Sequence, residues 1–277
     1  MIAVDGDGTL LCGDLSISAE NKRAISFARK MGVHVVLCSG RSYKSIKRFA
    51  SETELTQEGC FAITFNGAAI YNTFTDKELT VLKIPGDTAC EIISEIQRIR
   101  RESKLEGLFD IIVYDRYDTA FTERVSEHTA PYAEATDIKL KITTTGGFRK
   151  AIIEDIYKIL LVGENKALSL VEKCLNERKI TRMNVSAFFS MNHLFEITNS
   201  LATKGNALEF VAGKLGVPMA QTIAIGDQIN DLSMIEAAGL GIAMANAEEG
   251  VKAVADHITT KTNDENGVAE VIFNWLR

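Results

Sequence analysis

Met1–Leu10 reads MIAVDGDGTL. Ile2–Val4 is a short apolar run of the kind that a parallel strand, buried on both faces, requires. It ends in Asp5 and Asp7, separated by one glycine and followed by Gly8-Thr9. An open α/β sheet carries its site at the carboxyl ends of its strands, so this reading sets both acids at such an end. Carboxylates that close need a cation or a shared proton. A surface Asp-Gly turn uses the same residue types, and the partners found further along the chain weigh against it.

The same placement recurs outward from this stretch. Val33–Leu37 is a second strand and ends in Ser39-Gly40-Arg41. Phe61–Phe65 is a third and ends in Asn66-Gly67. Thr222–Ile225 runs into Gly226-Asp227-Gln228-Ile229-Asn230-Asp231, and Leu240–Met244 into Ala245-Asn246-Ala247. Helices alternate with these strands. Ser18 is an N-cap before an apolar face of Ala24, Ile25, Phe27, Ala28 and Met31, with Gly32 at the C-terminal cap. Lys204 opens a helix that Gly216-Val217-Pro218 stops. Leu232–Ala237, Glu248–Ala253 and Glu265–Trp275 follow, the last with Trp275 facing the core, and Asp256–Thr259 is an edge strand. Polar groups gathered at successive strand ends form a site assembled from a sheet.

The texture changes at Pro85-Gly86. Ala68–Tyr71 and Leu79–Ile84 read as a hairpin, then Asp87–Ser103 as a helix. Strands are expected at Leu108–Tyr114, Thr119–Phe121, Ile138–Thr143, Ile156–Val162 and Thr181–Ser186, with a break at Gly146-Gly147 and a helix over Lys166–Asn176. The run Val125–Ala135 is ambiguous. This pattern fits an inserted α/β domain over 85–190, a sheet with helices on one face and an open face on the other. Leu194–Ile197 leads back, so the first domain is discontinuous, 1–84 plus 191–277.

The 277 residues suffice for two domains. Hydrophobic content of 46% and charged content of 25% are those of an ordinary globular protein. A net charge of −6 gives neither nucleic acid nor an anionic membrane a landing surface. Cys12, Cys38, Cys60, Cys90 and Cys174 are odd in number and form no close pair, which fits reduced thiols in the cytoplasm. No targeting segment and no membrane-spanning run is apparent.

Asp5, Asp7 and Asp227, with Asp231 behind, are hard oxygen ligands that suit Mg²⁺. The four histidines, His34, His128, His193 and His257, are scattered without ligand spacing. Lys204 at a helix start, Ser39, Gly40, Asn66 and Arg41 offer the positive and neutral donors that a phosphate needs. Neither G-x-x-x-x-G-K-[ST] nor G-x-G-x-x-G follows a strand, so ATP-loop and dinucleotide binding lose weight. With no Ser/His or Cys/His pair, a carboxylate is the nucleophile by default. Asp5 is placed for that role, and Asp7, two residues on, for acid/base work. The same residues alone also allow a response-regulator-like phosphoacceptor or a Mg²⁺ regulatory site.

The chain resembles the haloacid dehalogenase (HAD) superfamily, in its Cof-type, subclass IIB phosphatase branch. The resemblance rests on Asp5-Gly6-Asp7-Gly8-Thr9, Ser39-Gly40-Arg41, Asn66-Gly67-Ala68, Thr203-Lys204-Gly205, Gly226 through Asp231, and Asn246-Ala247, in that order. It implies an α/β fold with a Rossmannoid parallel sheet core and an inserted α/β cap of C2B type that governs substrate choice. It implies an aspartyl-phosphate at Asp5, acid/base catalysis by Asp7, and Mg²⁺ on Asp5, the backbone carbonyl of Asp7, and Asp227. Asn230 is implied near the phosphate, and Thr9 and Asp231 as support. Gly6 departs from the bulky apolar residue usual between the two acids and gives the loop more freedom. The implied substrates are small phosphorylated metabolites, with sugar phosphates first and flavin mononucleotide or pyridoxal phosphate as the alternative. A phosphosugar mutase is a further alternative. A monomer or weak homodimer is expected. Selectivity is expected in the turns 114–122 and 143–149.

Overall fold

The computed structural model describes residues 1–116, 118–143 and 147–276. In chain order it begins with β1 (Ile2–Asp5), α1 (Ala19–Lys30), β2 (Val35–Cys38), α2 (Tyr43–Glu52), β3 (Phe61–Thr64) and the hairpin of β4 (Ala69–Asn72) and β5 (Lys77–Val81). It continues with α3 (Gly86–Glu102), β6 (Phe109–Tyr114), β7 (Thr119–Thr122), α4 (Thr129–Thr136), β8 (Lys139–Ile142) and α5 (Gly147–Ala151). Then come β9 (Lys158–Gly163), α6 (Asn165–Glu177), β10 (Val185–Met191) and β11 (Leu194–Asn199). It closes with α7 (Lys204–Leu215), β12 (Ile223–Gly226), α8 (Leu232–Ala237), β13 (Leu240–Ala243), α9 (Glu249–Lys252), β14 (His257–Ile258) and α10 (Gly267–Trp275). Two units result: one of Met1–Val81 with the residues from Ala202 onward, the other of Leu82–Leu201.

In the first unit the sheet order is β14-β13-β12-β1-β2-β3-β4-β5. The strands from β14 to β3 are parallel, and β4 and β5 are antiparallel additions at one edge. Ile2 of β1 sits between Val35 and Ile223, so β1 is central, and its apolar residues are fully buried. That burial on both faces explains why β1 is an unbroken apolar run rather than an alternating one. The chain leaves β1 towards β2 and β3 on one side and returns to β12 and β13 on the other. The strand order therefore reverses between β1 and β12, and such a reversal opens a crevice at the strands' carboxyl ends. Asp5 closes β1 and Asp227 follows β12 at that crevice. The helices are locally encoded: Ser18 Oγ accepts from Asn21 N at 3.1 Å and caps α1, and Ala24, Ile25 and Ala28 form its buried face.

The second unit is a six-stranded sheet ordered β10-β11-β9-β6-β7-β8, antiparallel throughout except where β7 meets β8. α3 and α6 pack on one face through Ile92, Ile96, Leu168 and Val171 against Ile111, Leu161 and Phe195. The opposite face, expected to be open, instead buries Tyr114, Lys158 and Glu196. There Lys158 Nζ donates to Glu196 Oε2 at 2.8 Å, and the Tyr114 and Tyr132 hydroxyls meet at 2.8 Å.

Several boundaries differ from the sequence reading. Leu194–Ile197, read as the return to the first domain, belongs to β11 and pairs with β9 and β10, so the change of unit falls after Leu201 rather than at 190/191. Of the strand expected at Thr181–Ser186, only Val185 and Ser186 are extended, as the start of β10; the residues before them form a 3-10 turn over Ile180–Met183, flanked by Lys179 and Asn184 at left-handed φ of 57° and 59°. The strand expected through Ile84 ends at Val81, and Ile84 makes an isolated bridge to Ile156. The ambiguous stretch 125–135 resolves into α4. Trp275, expected in the core, is 48% exposed: α10 ends on it, and its ring meets that of His257 edge-on, at 6.0 Å between centroids. The predicted break at Gly146, and Tyr117, Thr144 and Thr145 of the expected selectivity turns, lie outside the described residues. No helix among the described residues is long and apolar enough to cross a membrane.

Candidate active site

The loop after β1 turns tightly enough for Leu10 N and Leu11 N both to donate to Gly6 O, at 3.0 and 2.9 Å. Gly8 makes the turn possible. Its φ is +75°, and a Cβ there would sit 2.3 Å from Asp227 Oδ2. The turn brings Thr9 Oγ1 to within 2.7 Å of Asp227 Oδ1, to which it donates. Asn246 Nδ2 donates to Gly8 O at 2.8 Å and holds the loop from the side of β13.

Lys204 lies at the first position of α7, behind the N-cap Thr203, and is 1% exposed. Its ammonium donates to Asp5 Oδ1 at 2.6 Å and to Asp231 Oδ1 at 2.5 Å. The other oxygen of Asp231 accepts from Asp227 N at 2.9 Å and Gln228 N at 3.0 Å. Asp231 is thereby a brace between α7 and the loop after β12. Asp5, Asp227 and Asp231 are all buried, with ligand atoms within 4.8 Å of one another, the one such acidic cluster among the described residues.

Three carboxylates against one ammonium leave the cluster short of positive charge. Burial, and then the nearby Asp231, push the Asp5 carboxyl well above its ordinary value; Lys204 offsets this only in part. Burial and Asp231 raise Asp227 to about 7, against the opposing hydrogen bond from Thr9. Burial alone would lower the Lys204 ammonium, but Asp231 and Asp5 beside it raise it well above the ordinary lysine value. A cation among these three carboxylates would relieve that shortfall. The donor set agrees: every ligand atom is a hard oxygen. Beside the cluster, Asn230 Oδ1 is buried without a hydrogen-bond partner while its Nδ2 donates to Asn66 Oδ1 at 2.9 Å.

Asp7 stands apart from this cluster. Arg41 grips its carboxylate at both oxygens, through Nε at 2.7 Å and Nη2 at 2.6 Å. Ser39 Oγ accepts from Arg41 N at 3.1 Å. Gly40 is held close to Asn66, whose Oδ1 would lie 2.9 Å from an added Cβ. Asn66 adopts φ 57° at the end of β3, and Gly67, at φ +98°, passes so near Thr203 O that a Cβ would clash at 2.2 Å. The loop after β3 is thus locked onto the start of α7.

The residues named from sequence therefore divide. Asp5, Lys204, Asp227 and Asp231 form one buried cluster with Thr9, while Asp7 and Arg41 form a pair beside it. Ser39, Gly40, Asn66 and Asn230 complete the rim. Ser45 is absent from the residues named from sequence, and Gln228 is named there only within the run Gly226–Asp231. Ser45, in the first turn of α2, accepts through Oγ from Arg41 Nη1 at 3.2 Å; Arg41 precedes that helix, so no helical spacing signals the pair. Asn246 was visible in the Asn246-Ala247 pair, but not its role as the anchor of Gly8.

The family model for haloacid dehalogenase-like hydrolases matches residues 2–272. The protein YxeH of Bacillus subtilis (strain 168) is 33% identical over 276 residues, which cover 98% of this chain and 96% of that protein. From the same organism, the 5-amino-6-(5-phospho-D-ribitylamino)uracil phosphatase YitU is 28% identical, with 100% and 97% covered. A solved haloacid dehalogenase-like hydrolase from Bacteroides thetaiotaomicron superposes with a TM-score of 0.83 at 31% identity, covering 99% of this chain and 98% of that one.

Proposed function

This chain belongs to the haloacid dehalogenase-like hydrolases and is a phosphatase, and from that premise we propose that it hydrolyses small phosphate monoesters through an aspartyl-phosphate on Asp5, with Mg²⁺ as cofactor. The observation that carries this reading is the division of labour between the two acids of the first loop. Asp5 is pinned by Lys204 within the acidic cluster, while Asp7, two residues on, lies outside it.

Asp5 has one oxygen on Lys204 and the other available to attack phosphorus in line with the leaving group. The Lys204 ammonium keeps the nucleophile oriented and lowers its repulsion with the incoming phosphate. Asp7 gives a proton to the departing oxygen and later takes one from water. Ser39, Asn66 and Asn230 supply neutral donors for the phosphate oxygens. Asp5, the backbone carbonyl of Asp7, and Asp227 would hold Mg²⁺, with Asp231 and Thr9 as support. Bound there, the ion supplies positive charge to offset that of the phosphate and the acid cluster.

For the substrate we favour sugar phosphates, with the choice of leaving group assigned to the unit 82–201. The likeness to YitU supports a second reading, a polyol phosphate that bears a heteroaromatic ring. Flavin mononucleotide is of that kind, and pyridoxal phosphate is the other cofactor candidate. Hydrolysis is preferred to phosphosugar transfer. A cytoplasmic location, supported by five unpaired cysteines, and a monomer or weak homodimer complete the reading.

A screen of phosphorylated metabolites by phosphate release, ranked by kcat/KM, tests it. Multiple turnover excludes the phosphoacceptor module. Hexose 1- and 6-phosphates that isomerise without free phosphate would favour the mutase. A tenfold preference for flavin mononucleotide or pyridoxal phosphate would replace sugars as the substrate class and leave the catalytic assignment intact.

A further inference from the structure

Arg41 presents a puzzle as a phosphate ligand, because its guanidinium is committed elsewhere. Nε and Nη2 take the two oxygens of Asp7 in a fork-to-fork pair, and Nη1 donates to Ser45 Oγ. The guanidinium carbon lies 5.6 Å from the centre of the Phe49 ring, and the side chain is 8% exposed. Four contacts from α2 and the first loop thus fix the plane of the fork, and that plane fixes the carboxylate.

We propose that Arg41 is a positioning residue for Asp7 that acts chiefly in the second half of the reaction. The proposal rests on the reading of Asp7 as acid/base. In the first half, an Asp5 oxygen forms a bond to phosphorus and the bond from phosphorus to the leaving oxygen breaks. The electron pair stays on that oxygen, which takes the proton of Asp7. Asp7 is left as a carboxylate, the state that can accept two N–H donors at once. A protonated carboxyl must use one oxygen as an O–H donor, so the two-pronged grip suits the carboxylate and not the acid. In the second half, water bonds to phosphorus, its proton passes to Asp7, and the bond from phosphorus to Asp5 breaks with its electron pair returning to Asp5. Arg41 holds Asp7 in one orientation for that proton transfer, where a small displacement is costly.

Arg41→Lys and Arg41→Gln, alone and combined with Asp7→Asn, test this with p-nitrophenyl phosphate. Arg41→Lys keeps the charge and the apolar stem, and so guards against a folding defect, which a melting curve checks. Positioning predicts that kcat falls about tenfold to a hundredfold, within the range of lost acid/base alignment. The ratio kcat/KM and the inhibition constant of inorganic phosphate stay within about twofold while KM falls along with kcat, because binding and phosphoenzyme formation are untouched and only the step after them is slowed. Rapid mixing shows a burst of nitrophenol, since the phosphoenzyme forms and then waits. In the Asp7→Asn background, Arg41→Lys costs no more than about twofold further, as expected for two residues that act as one unit. Phosphate inhibition weakened tenfold with kcat retained would make Arg41 a phosphate ligand and overturn the proposal alone. An equal loss of kcat with and without Asp7 would do the same. Wild-type turnover in Asp7→Asn would overturn the acid/base reading and the proposal together.

Discussion

Lys204→Met removes the one ammonium from a buried cluster of three carboxylates. The side chains of Lys204 and Asp231 are both fully buried and that of Asp5 is 7% exposed, so solvent screens little of the interaction. Methionine matches the length of the stem and suits a helix, which isolates the charge from the packing. Breaking a buried pair by deleting one partner costs about 3–5 kcal/mol, chiefly through the charge left unpaired. For a unit of this size that corresponds to a fall of roughly 10 °C in Tm, since about 1 kcal/mol shifts the midpoint by 2–4 °C. The cost depends on pH with a definite sign. Asp5 and Asp227 already hold protons more tightly than usual, and without Lys204 they hold them more tightly still. At about pH 5 the variant sheds part of the penalty by keeping these groups neutral; at about pH 8 it bears more of it. Urea unfolding of wild type and variant in chelator, at both pH values, reads the difference. A loss under about 1 kcal/mol, or one equal at both pH values, would refute the placement of Lys204 as the counter-charge of this cluster.

The metal-free wild type carries a related signature. Because Asp227 is raised from 3.8 to about 7, the folded state binds the extra proton and stability falls as pH rises across that interval; Mg²⁺ should then raise Tm more at about pH 8 than at pH 5. Activity towards an aryl phosphate should vanish with chelator, return with Mg²⁺ and return poorly with Ca²⁺, whose coordination is larger and less regular; full activity without metal counts against the cofactor. Gly8→Ala forces a Cβ into the Asp227 carboxylate at a left-handed φ, which costs about 1–2 kcal/mol in backbone alone; a raised half-saturating Mg²⁺ concentration in an activity titration is the expected result. Ser18→Ala removes the cap of α1, which belongs to neither the acidic cluster nor the Asp7–Arg41 pair, and should lower stability by about 1 kcal/mol in urea unfolding with kcat unchanged.

The unit of Met1–Val81 and the residues from Ala202 onward was largely legible because its central strands are buried on both faces and end in polar breaks. Ile2–Val4, Phe61–Phe65 and Leu232–Ala237 could be placed from apolar runs alone, to within a residue of the observed elements. The return strand was not legible, because Leu194–Ile197 reads the same whichever sheet it joins. Only its hydrogen-bonded neighbours, Leu161 and Phe189, decide that. Met183 and Val185 alternate with polar neighbours and so read as a strand over Thr181–Ser186, and two left-handed residues that are not glycine, Lys179 and Asn184, hid the turn at Ile180–Met183. At the site, the acids and the lysine announced themselves by type and position, but their division into a cluster and a separate pair did not. That division depends on where Arg41 points, and a side-chain direction over 34 residues of separation leaves no trace in the spacing.

The central claim is the covalent intermediate on Asp5. Acid-quenched samples of Asp7→Asn, mixed briefly with p-nitrophenyl phosphate and Mg²⁺ and then digested for mass spectrometry, test it directly. The account predicts a phosphoryl adduct on the peptide that contains Asp5, located at Asp5 by fragmentation, accumulated because the base for its hydrolysis is missing, and absent from Asp5→Asn, which should not turn over. Turnover by Asp5→Asn at the wild-type rate, with no adduct on that peptide, would contradict it.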